Sequence, residues 1–180
     1  MNQAAYNVRV SMWPRRKPDF ETAMRGELPV LYRVARRLAS DEDEAADLVQ
    51  QALVKAFSAW TRFDGQHLRS WLIKILRNEN LMRVRASGRL QRVELEEDTA
   101  VEAGFWDEVC WRDQSDRLLD ELDGLPDEFK MAVVLCDVEQ MSYEEAAKAM
   151  DVPVGTVRSR LSRGRAMLRK RLTSAAEVIE

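Results

Sequence analysis

The chain has 180 residues and a formal net charge of −3, and it is poor in histidine and cysteine. Its one histidine is His67, and its two cysteines, Cys110 and Cys136, are far apart and form no C-x-x-C motif. This composition argues against a zinc site and predicts two thiols packed as small apolar groups in a reducing compartment. No apolar run reaches the ~20 residues of a membrane span, so we expect a cytoplasmic protein without membrane insertion.

The expected fold class is all-α. Helix-forming residues dominate, glycine and proline are scarce, and no alternating β-strand pattern occurs. We predict two small helical domains, one of three or four helices over residues 19–88 and one of four helices over 114–174. A flexible acidic linker over 89–113 would join them, and the extension over 1–18 is predicted to be disordered.

The first domain is predicted to contain three amphipathic helices. The first covers residues 19–39 and contains Pro29, which should kink or restart it. The second begins in the acidic run 41–47, and a turn over 63–66 leads to a third helix that ends in a basic segment near Arg85. The aromatic residues of these helices are interpreted as core residues: Phe57, Trp60 and Trp71.

The linker loses apolar periodicity and accumulates acidic residues, so it cannot bury enough surface to fold alone. Phe105, Trp106 and Trp111 are unexpected in a simple tether. They predict that the end of the linker packs on one of the domains or on a partner. Whether the acidic run mimics nucleic acid or only keeps the tether solvated remains open.

Residues 142–172 are the most informative segment, because they indicate a short helix, a tight turn and an arginine-rich second helix. Ser142 followed by Glu145 is a capping-box pattern that marks the first helix start. Pro153 cannot continue that helix and can open the next one. In the second helix the apolar residues share one face: Val157, Leu161, Leu168 and Leu172.

An anchored helix with arginines on its other faces is typical of a recognition helix in the DNA major groove. Guanidinium groups pair with guanine edges and with phosphates. One such helix can therefore both fix the position of the protein on the DNA and recognise the base sequence. The alternative is an ordinary solvated basic face. The ordered combination of a capped helix, a turn and a basic helix favours the helix-turn-helix interpretation.

Residues Leu122 to Leu172 resemble the C-terminal domain of bacterial extracytoplasmic-function (ECF) sigma factors of the sigma-70 family. The resemblance rests on Leu125-Pro126, Glu139, the segment 142–145 and the segment 153–160. The N-terminal half is similar to the N-terminal domain of the same family. Its matching motifs are Leu31-Tyr32, Ala35-Arg36, the run 46–50, Ala56-Phe57, and the runs 69–72 and 75–78.

The resemblance implies a non-enzymatic subunit that directs promoter recognition by RNA polymerase, with no cofactor. Its implied partners are core RNA polymerase, through the β′ clamp and β flap, and promoter DNA. The resemblance also implies an anti-sigma factor and a stress regulon. One phrase, WLIKILRN, is similar to the subgroup that controls general stress responses.

The resemblance also implies site residues. For the −35 promoter element these are Pro153, Thr156, Arg158, Arg160, Arg163 and Arg165. For the melted −10 element they are Phe63, Gln66, His67, Arg69, Asn78 and Arg85. For core polymerase they are Asp47, Gln50, Gln51 and Lys55. The −10 set fits single-stranded DNA, which needs aromatic or amide groups for unstacked bases and cations along the backbone.

Two positions depart from the family pattern. Gln51 stands where many relatives carry Glu, which could weaken or redirect the polymerase contact. Met82 stands where relatives usually carry Asp or Asn, and a thioether cannot replace their hydrogen bonds. The −10 sequence that this chain recognises therefore cannot be carried over from the family.

Two other function classes compete with a sigma factor. A self-sufficient repressor or activator could use the same helix-turn-helix, but it would carry a ligand-binding or dimerisation domain in place of the N-terminal motifs. An enzyme would need a nucleophile–base pair, a phosphate-binding loop or a metal cluster, and the sequence contains none of these patterns.

Overall fold

The computed structural model describes residues 18–86 and 115–176, and within these ranges the chain forms eight α-helices and no β-strand. Their bounds are α1 Phe20–Arg25, α2 Leu28–Leu38, α3 Glu42–Ala59, α4 Leu68–Ala86, α5 Ser115–Asp123, α6 Asp127–Val133, α7 Tyr143–Met150 and α8 Val154–Ala176. The all-α prediction is confirmed. The predictions for the N-terminal extension, the acidic linker and its three aromatic residues fall outside the described residues.

The first predicted helix is two helices, and Pro29 marks the restart. It lies in the first turn of α2, where its missing N–H group is not needed by the helix. The next helix, α3, is capped at its N-terminus by Asp41, whose side chain accepts a 2.7 Å hydrogen bond from the backbone N–H of Glu44. A single 3₁₀ turn, Trp60–Arg62, extends α3 and was not predicted.

The core of the N-terminal half lies between α2, α3 and α4 and includes Val34, Leu48 and Leu72. An aromatic cluster lies at one end of it, where Trp60 and Trp71 pack against Phe63, with ring centroids 5.3 and 4.5 Å from that ring. The core interpretation is therefore confirmed for the two tryptophans. It is wrong for Phe57, whose ring packs against Phe20 in a T-shaped arrangement but which remains 66% exposed.

The C-terminal half contains the predicted helix-turn-helix. Both hydrogen bonds of the capping box are present, from the backbone N–H of Glu145 to Ser142 and from the backbone N–H of Ser142 to Glu145. The connecting turn passes through Asp151 in the left-handed conformation, with φ of 56°, and α8 begins directly after Pro153. Three of the four apolar residues predicted to share one face of α8 are buried: Val157, Leu161 and Leu168. The fourth, Leu172, is partly buried.

One turn of π-helix, Val134–Val138, follows α6 and was not predicted. Its wider winding ends with a 2.9 Å hydrogen bond from the Glu139 N–H to the Val134 carbonyl. The turn orients Asp137 and Glu139 toward different neighbours, and both carboxylates take part in ion pairs described below.

Candidate nucleic-acid and polymerase interfaces

Arg158 is the most accessible of the predicted −35 arginines. Its side chain is exposed, and its guanidinium lies 5.5 Å from the centre of the Tyr143 ring on the preceding helix. Pro153 is exposed and Thr156 partly exposed in the same turn region. An exposed cation–π contact contributes only about 0.5–1 kcal/mol, so the arginine can exchange it for a nucleic-acid contact.

Two other arginines of α8 are engaged in ion pairs within the C-terminal half. Arg160 donates a 2.6 Å hydrogen bond to Glu128 of α6, and Arg165 donates two, of 3.1 and 2.6 Å, to Asp137. The hydrogen bonds to Asp137 raise the pKa of Arg165. These pairs hold α8 against α6 and the π turn, a structural role that the arginine pattern alone did not predict. Arg163 is partly buried.

The loop predicted to capture −10 bases lies between α3 and α4. Gly65, with φ of 82°, and His67, with φ of 50°, both adopt the left-handed conformation that this tight turn requires. The Gln66 N–H donates a 2.8 Å hydrogen bond to Asp64, and the His67 carbonyl accepts one from Trp71 in the first turn of α4. Gln66 and His67 are thereby held on the surface with exposed side chains.

Phe63 lies in a different environment from the other −10 candidates. The residue is only 9% exposed, and its ring stacks on Trp71 at a centroid distance of 4.5 Å. In this conformation the Phe63 ring is part of the packed core beneath the loop. A DNA base could stack on it only after the ring had moved out of this position. Arg69 is half-exposed and donates a 2.7 Å hydrogen bond to Glu27.

The remaining −10 candidates lie further along α4. Asn78 and Arg85 are exposed, and Met82 lies between them on the same face with 58% of its surface exposed. An uncovered methionine at this place adds an apolar group to a surface of amide and guanidinium groups. The position that departs from the family pattern thus belongs to the same surface as the candidate DNA contacts.

All four predicted polymerase contacts lie in one region of α3. The four residues are Asp47, Gln50, Gln51 and Lys55. They line an open groove of about 480 Å³ together with Val54 and Glu79. Lys55 donates a 2.5 Å hydrogen bond to Glu79 of α4, whose side chain is only 10% exposed, so the base of the groove is fixed by an ion pair.

Sequence reasoning missed two apolar residues of this surface. Val54 is 61% exposed and Phe57 is 66% exposed, and both are on the solvent side of α3. The available signal was their helical position, because residues 54 and 57 fall on the same side as Asp47 and Gln50, away from the apolar stripe of α3. An exposed valine and an exposed phenylalanine on one helix are typical of a protein interface.

No cluster of three metal-ligating side chains occurs within residues 18–86 and 115–176. Cys136 is buried, and its burial raises the pKa of the thiol to about 11. The helices that the structure describes include none that is long and apolar enough to cross a membrane.

Comparison with known proteins agrees with this arrangement. Residues 24–90 match the family model of Sigma-70 region 2, and residues 115–168 match that of Sigma-70 region 4. The RNA polymerase sigma-E factor of Streptomyces avermitilis is 35% identical over 161 residues, which cover 87% of this chain and 86% of that protein. The ECF RNA polymerase sigma factor SigE of Mycolicibacterium smegmatis is also 35% identical, over 84% of this chain and 61% of its own length. The chain belongs to the ECF sigma factors of the sigma-70 family.

Solved structures resemble this sigma factor along most of its length. The sigma factor RpoE from Bartonella quintana, solved in complex with the anti-sigma factor NepR, superposes with a TM-score of 0.68 and 33% identity. That match covers 86% of this chain and 97% of the other. CnrH, solved in complex with the cytosolic domain of CnrY, gives a TM-score of 0.63 at 26% identity and covers 86% of this chain and 88% of the other.

Membership of this family makes the protein a transcription initiation factor that works with RNA polymerase on promoter DNA, as the sequence predicted. The two-domain architecture is confirmed as well, because the two family models match separate parts of the chain. The N-terminal half is a sigma region and not the ligand-binding or dimerisation domain that a self-sufficient regulator would carry. The individual contact residues remain predictions.

Proposed function

We propose that this sigma factor divides promoter recognition and polymerase binding among three surfaces. The first is the exposed part of α8 around Arg158, for the −35 element. The second is the α3–α4 loop with the outer face of α4, for the melted −10 element. The third is the solvent face of α3, for core RNA polymerase.

The accessibility of Arg158 is the observation that best supports the −35 assignment. It is exposed beside the helix-turn-helix turn, whereas Arg160 and Arg165 are already paired with carboxylates. An arginine that reads a guanine edge must be able to present both donors of its fork to the base. We therefore assign base reading to Arg158, with Pro153 and Thr156 beside it, and assign Arg160, Arg163 and Arg165 to positioning of α8 and to flanking phosphates.

For the −10 element, Gln66 and His67 supply exposed polar groups on a turn that is fixed by its own hydrogen bonds. Asn78 and Arg85 continue this surface along α4, with Met82 between them. Phe63 and Trp71 form the packed floor beneath the loop. The chemistry fits unstacked bases held by amide and imidazole groups with cations along the backbone.

The polymerase assignment is supported by the combination of an open polar groove with exposed Val54 and Phe57. Protein interfaces characteristically combine a small apolar centre with a polar rim. Since the solved relatives RpoE and CnrH are bound to an anti-sigma factor and to the cytosolic domain of CnrY, we further propose that an anti-sigma factor controls this protein. It would act in the cytoplasm with RNA polymerase, on a stress regulon.

Binding to core polymerase tests the third surface. We expect Asp47→Ala combined with Gln50→Ala, and separately Val54→Ser combined with Phe57→Ser, to lower affinity for core polymerase at least tenfold, which corresponds to about 1.4 kcal/mol. Thermal unfolding should change little because all four side chains are exposed. Leu28→Ser, at a 38% exposed leucine outside this surface, is the matched control. Wild-type affinity in both double variants would refute the assignment.

A further inference from the structure

Met82 is an exposed apolar residue on the outer face of α4, with 58% of its surface accessible. In the ranges that the structure describes, it belongs neither to the buried core nor to the partly buried apolar residues that pack against that core. A single exposed apolar side chain is common on protein surfaces. The position of Met82 makes it informative, because it lies four residues after Asn78 and three before Arg85, so the three side chains share one side of the helix.

The charges of α4 favour a nucleic acid as the partner of this face. Five ionisable residues of the helix are cations: Arg69, Lys74, Arg77, Arg83 and Arg85. The single acid of α4, Glu79, is buried and accepts a 2.5 Å hydrogen bond from Lys55. Helix α4 therefore contributes cations and no exposed carboxylate to the surface, which suits the approach of a polyanion.

The exposed apolar residues of α3 lie in a different electrostatic setting. Val54 lines the same groove as Asp47, and a carboxylate at that place repels phosphate groups. Met82 instead lies between an amide and a guanidinium, which are side-chain types that contact bases and phosphates. The exposed valine thus suits a protein partner, and the exposed methionine suits DNA.

A thioether recognises a base by apolar contact. The sulfur of Met82 is a weak acceptor and no donor, so it cannot make the hydrogen bonds by which amide and carboxylate side chains read base edges. The apolar group that distinguishes one base edge from the others is the C5 methyl of thymine, which cytosine lacks. The methionine side chain is unbranched and has three rotatable bonds, so it can adapt its contact to such a small group.

We propose that Met82 selects thymine at one position of the −10 element by packing its side chain against the C5 methyl group. Asn78 and Arg85, on either side of Met82, hold a neighbouring base edge and the phosphate backbone, so that the thioether meets one fixed position of the strand. This inference rests on the proposed assignment of the outer face of α4 to the −10 element.

The test uses the holoenzyme and removes single methyl groups from the promoter. A promoter is first selected by transcription with the wild-type holoenzyme from a library with a randomised −10 element. Each thymine of that element is then replaced in turn by deoxyuridine, which lacks the C5 methyl and keeps the Watson–Crick hydrogen bonds. We expect deoxyuridine at one position to lower open-complex formation by the wild type about three- to tenfold, as the loss of one apolar contact does.

Variants of Met82 show whether the thioether makes this contact. Met82→Ala should respond equally to thymine and deoxyuridine at the sensitive position. Met82→Leu keeps an apolar side chain of similar volume and should retain most of the difference. Replacing the same thymine by cytosine should weaken the wild-type open complex, and 5-methylcytosine should recover part of that loss. This recovery should be absent in Met82→Ala.

Leu28→Ala is the matched control, because Leu28 is an exposed apolar residue outside the three proposed surfaces. It should keep the wild-type response to deoxyuridine. Met82→Ala should also keep wild-type affinity for core polymerase, because Met82 does not line the α3 groove. A deoxyuridine response that Met82→Ala shares with the wild type, or no response at any position in the wild type, would overturn the proposal. Lower affinity for core polymerase with an unchanged deoxyuridine response would identify a protein contact and would overturn it as well.

Alanine substitutions of the two neighbours separate this inference from the proposed function. If Asn78→Ala and Arg85→Ala lower −10-dependent transcription while Met82→Ala keeps the methyl response, the −10 surface stands and thymine selection by Met82 is wrong. If Asn78→Ala combined with Arg85→Ala transcribes like the wild type, the outer face of α4 does not contact the −10 element, and the proposed function itself fails.

Discussion

Arg165 of the recognition helix binds both oxygens of Asp137, which lies 28 residues earlier in the chain, through hydrogen bonds of 3.1 and 2.6 Å. The Asp137 side chain is only 8% exposed and that of Arg165 21% exposed. This pair joins α8 to the π turn after α6. Arg165, which the sequence pattern predicts as a DNA contact, therefore also stabilises the packing of the C-terminal domain.

We expect Arg165→Ala to destabilise the C-terminal half by about 2 kcal/mol, because it leaves the Asp137 carboxylate buried without its partner. Chemical denaturation followed by circular dichroism measures the change. Adding Asp137→Asn should recover part of the loss, since no uncompensated charge then remains. Full additivity of the two substitutions would show that the pair contributes no coupling energy.

The sequence predicted those features of the fold that depend on neighbouring residues. The Ser142 capping box, the restart at Pro29 and the buried stripe of α8 follow from spacing and local hydrogen bonding, and all three are present. The π turn over 134–138 was not predictable, because its i→i+5 bonds leave no distinct periodicity in so short a segment. The exposure of Phe57 was also missed, although its helical position places it on the side of Asp47 and Gln50, away from the core stripe of α3.

The sequence predicted which residue types form the candidate site. It did not predict which of those residues are exposed and which are paired with other residues. Arg158 and Arg165 are equivalent in the sequence pattern, yet one is exposed and the other is paired with Asp137. The difference depends on a residue distant in sequence. The same reason explains why the ion pair between Arg33 and Glu139 was not predicted, since it joins residues 106 positions apart.

Gly164 permits the close approach of α8 to α6. A Cβ atom at this position would lie 2.8 Å from Cγ2 of Val133 and 3.2 Å from the carbonyl oxygen of Phe129. Valine is stiff at χ1 and Val133 is buried, so neither neighbour can move cheaply. We expect Gly164→Ala to cost about 1–3 kcal/mol of packing strain, which exceeds the gain of about 1 kcal/mol in helix propensity.

Gly155 provides the matched control, because it lies in the same helix with no atom within 4 Å of its hypothetical Cβ. Gly155→Ala should be neutral or stabilise the protein by about 0.4–1 kcal/mol through the unfolded state. Urea denaturation of the two variants side by side measures the contrast. Equal effects at both glycines would contradict the packing argument.

Cys136 should be unreactive while the protein is folded. Its burial raises the pKa of the thiol to about 11, so the nucleophilic thiolate is scarce at neutral pH. In a Cys110→Ser background, alkylation with iodoacetamide at pH 8 should proceed only after unfolding. Because the folded-state pKa is above the unfolded value, the stabilising contribution of the protonated thiol is complete below the unfolded pKa and is lost as the pH rises toward 11. Rapid alkylation under native conditions would contradict the burial of Cys136.

Arg158 should matter for promoter recognition and little for stability, in contrast to Arg165. It is exposed, and its only described contact is with the Tyr143 ring at 5.5 Å, so Arg158→Ala should cost less than about 1 kcal/mol in unfolding free energy. A base-reading arginine contributes about 1–3 kcal/mol of discrimination at one position, so holoenzyme carrying Arg158→Ala should lose roughly tenfold in activity on a −35-dependent promoter. On a promoter with a scrambled −35 element, wild type and variant should be equally weak. Affinity for core polymerase should be unchanged, because the substitution is remote from α3. If the variant is equally impaired on both promoters, Arg158 contacts phosphate and does not read sequence.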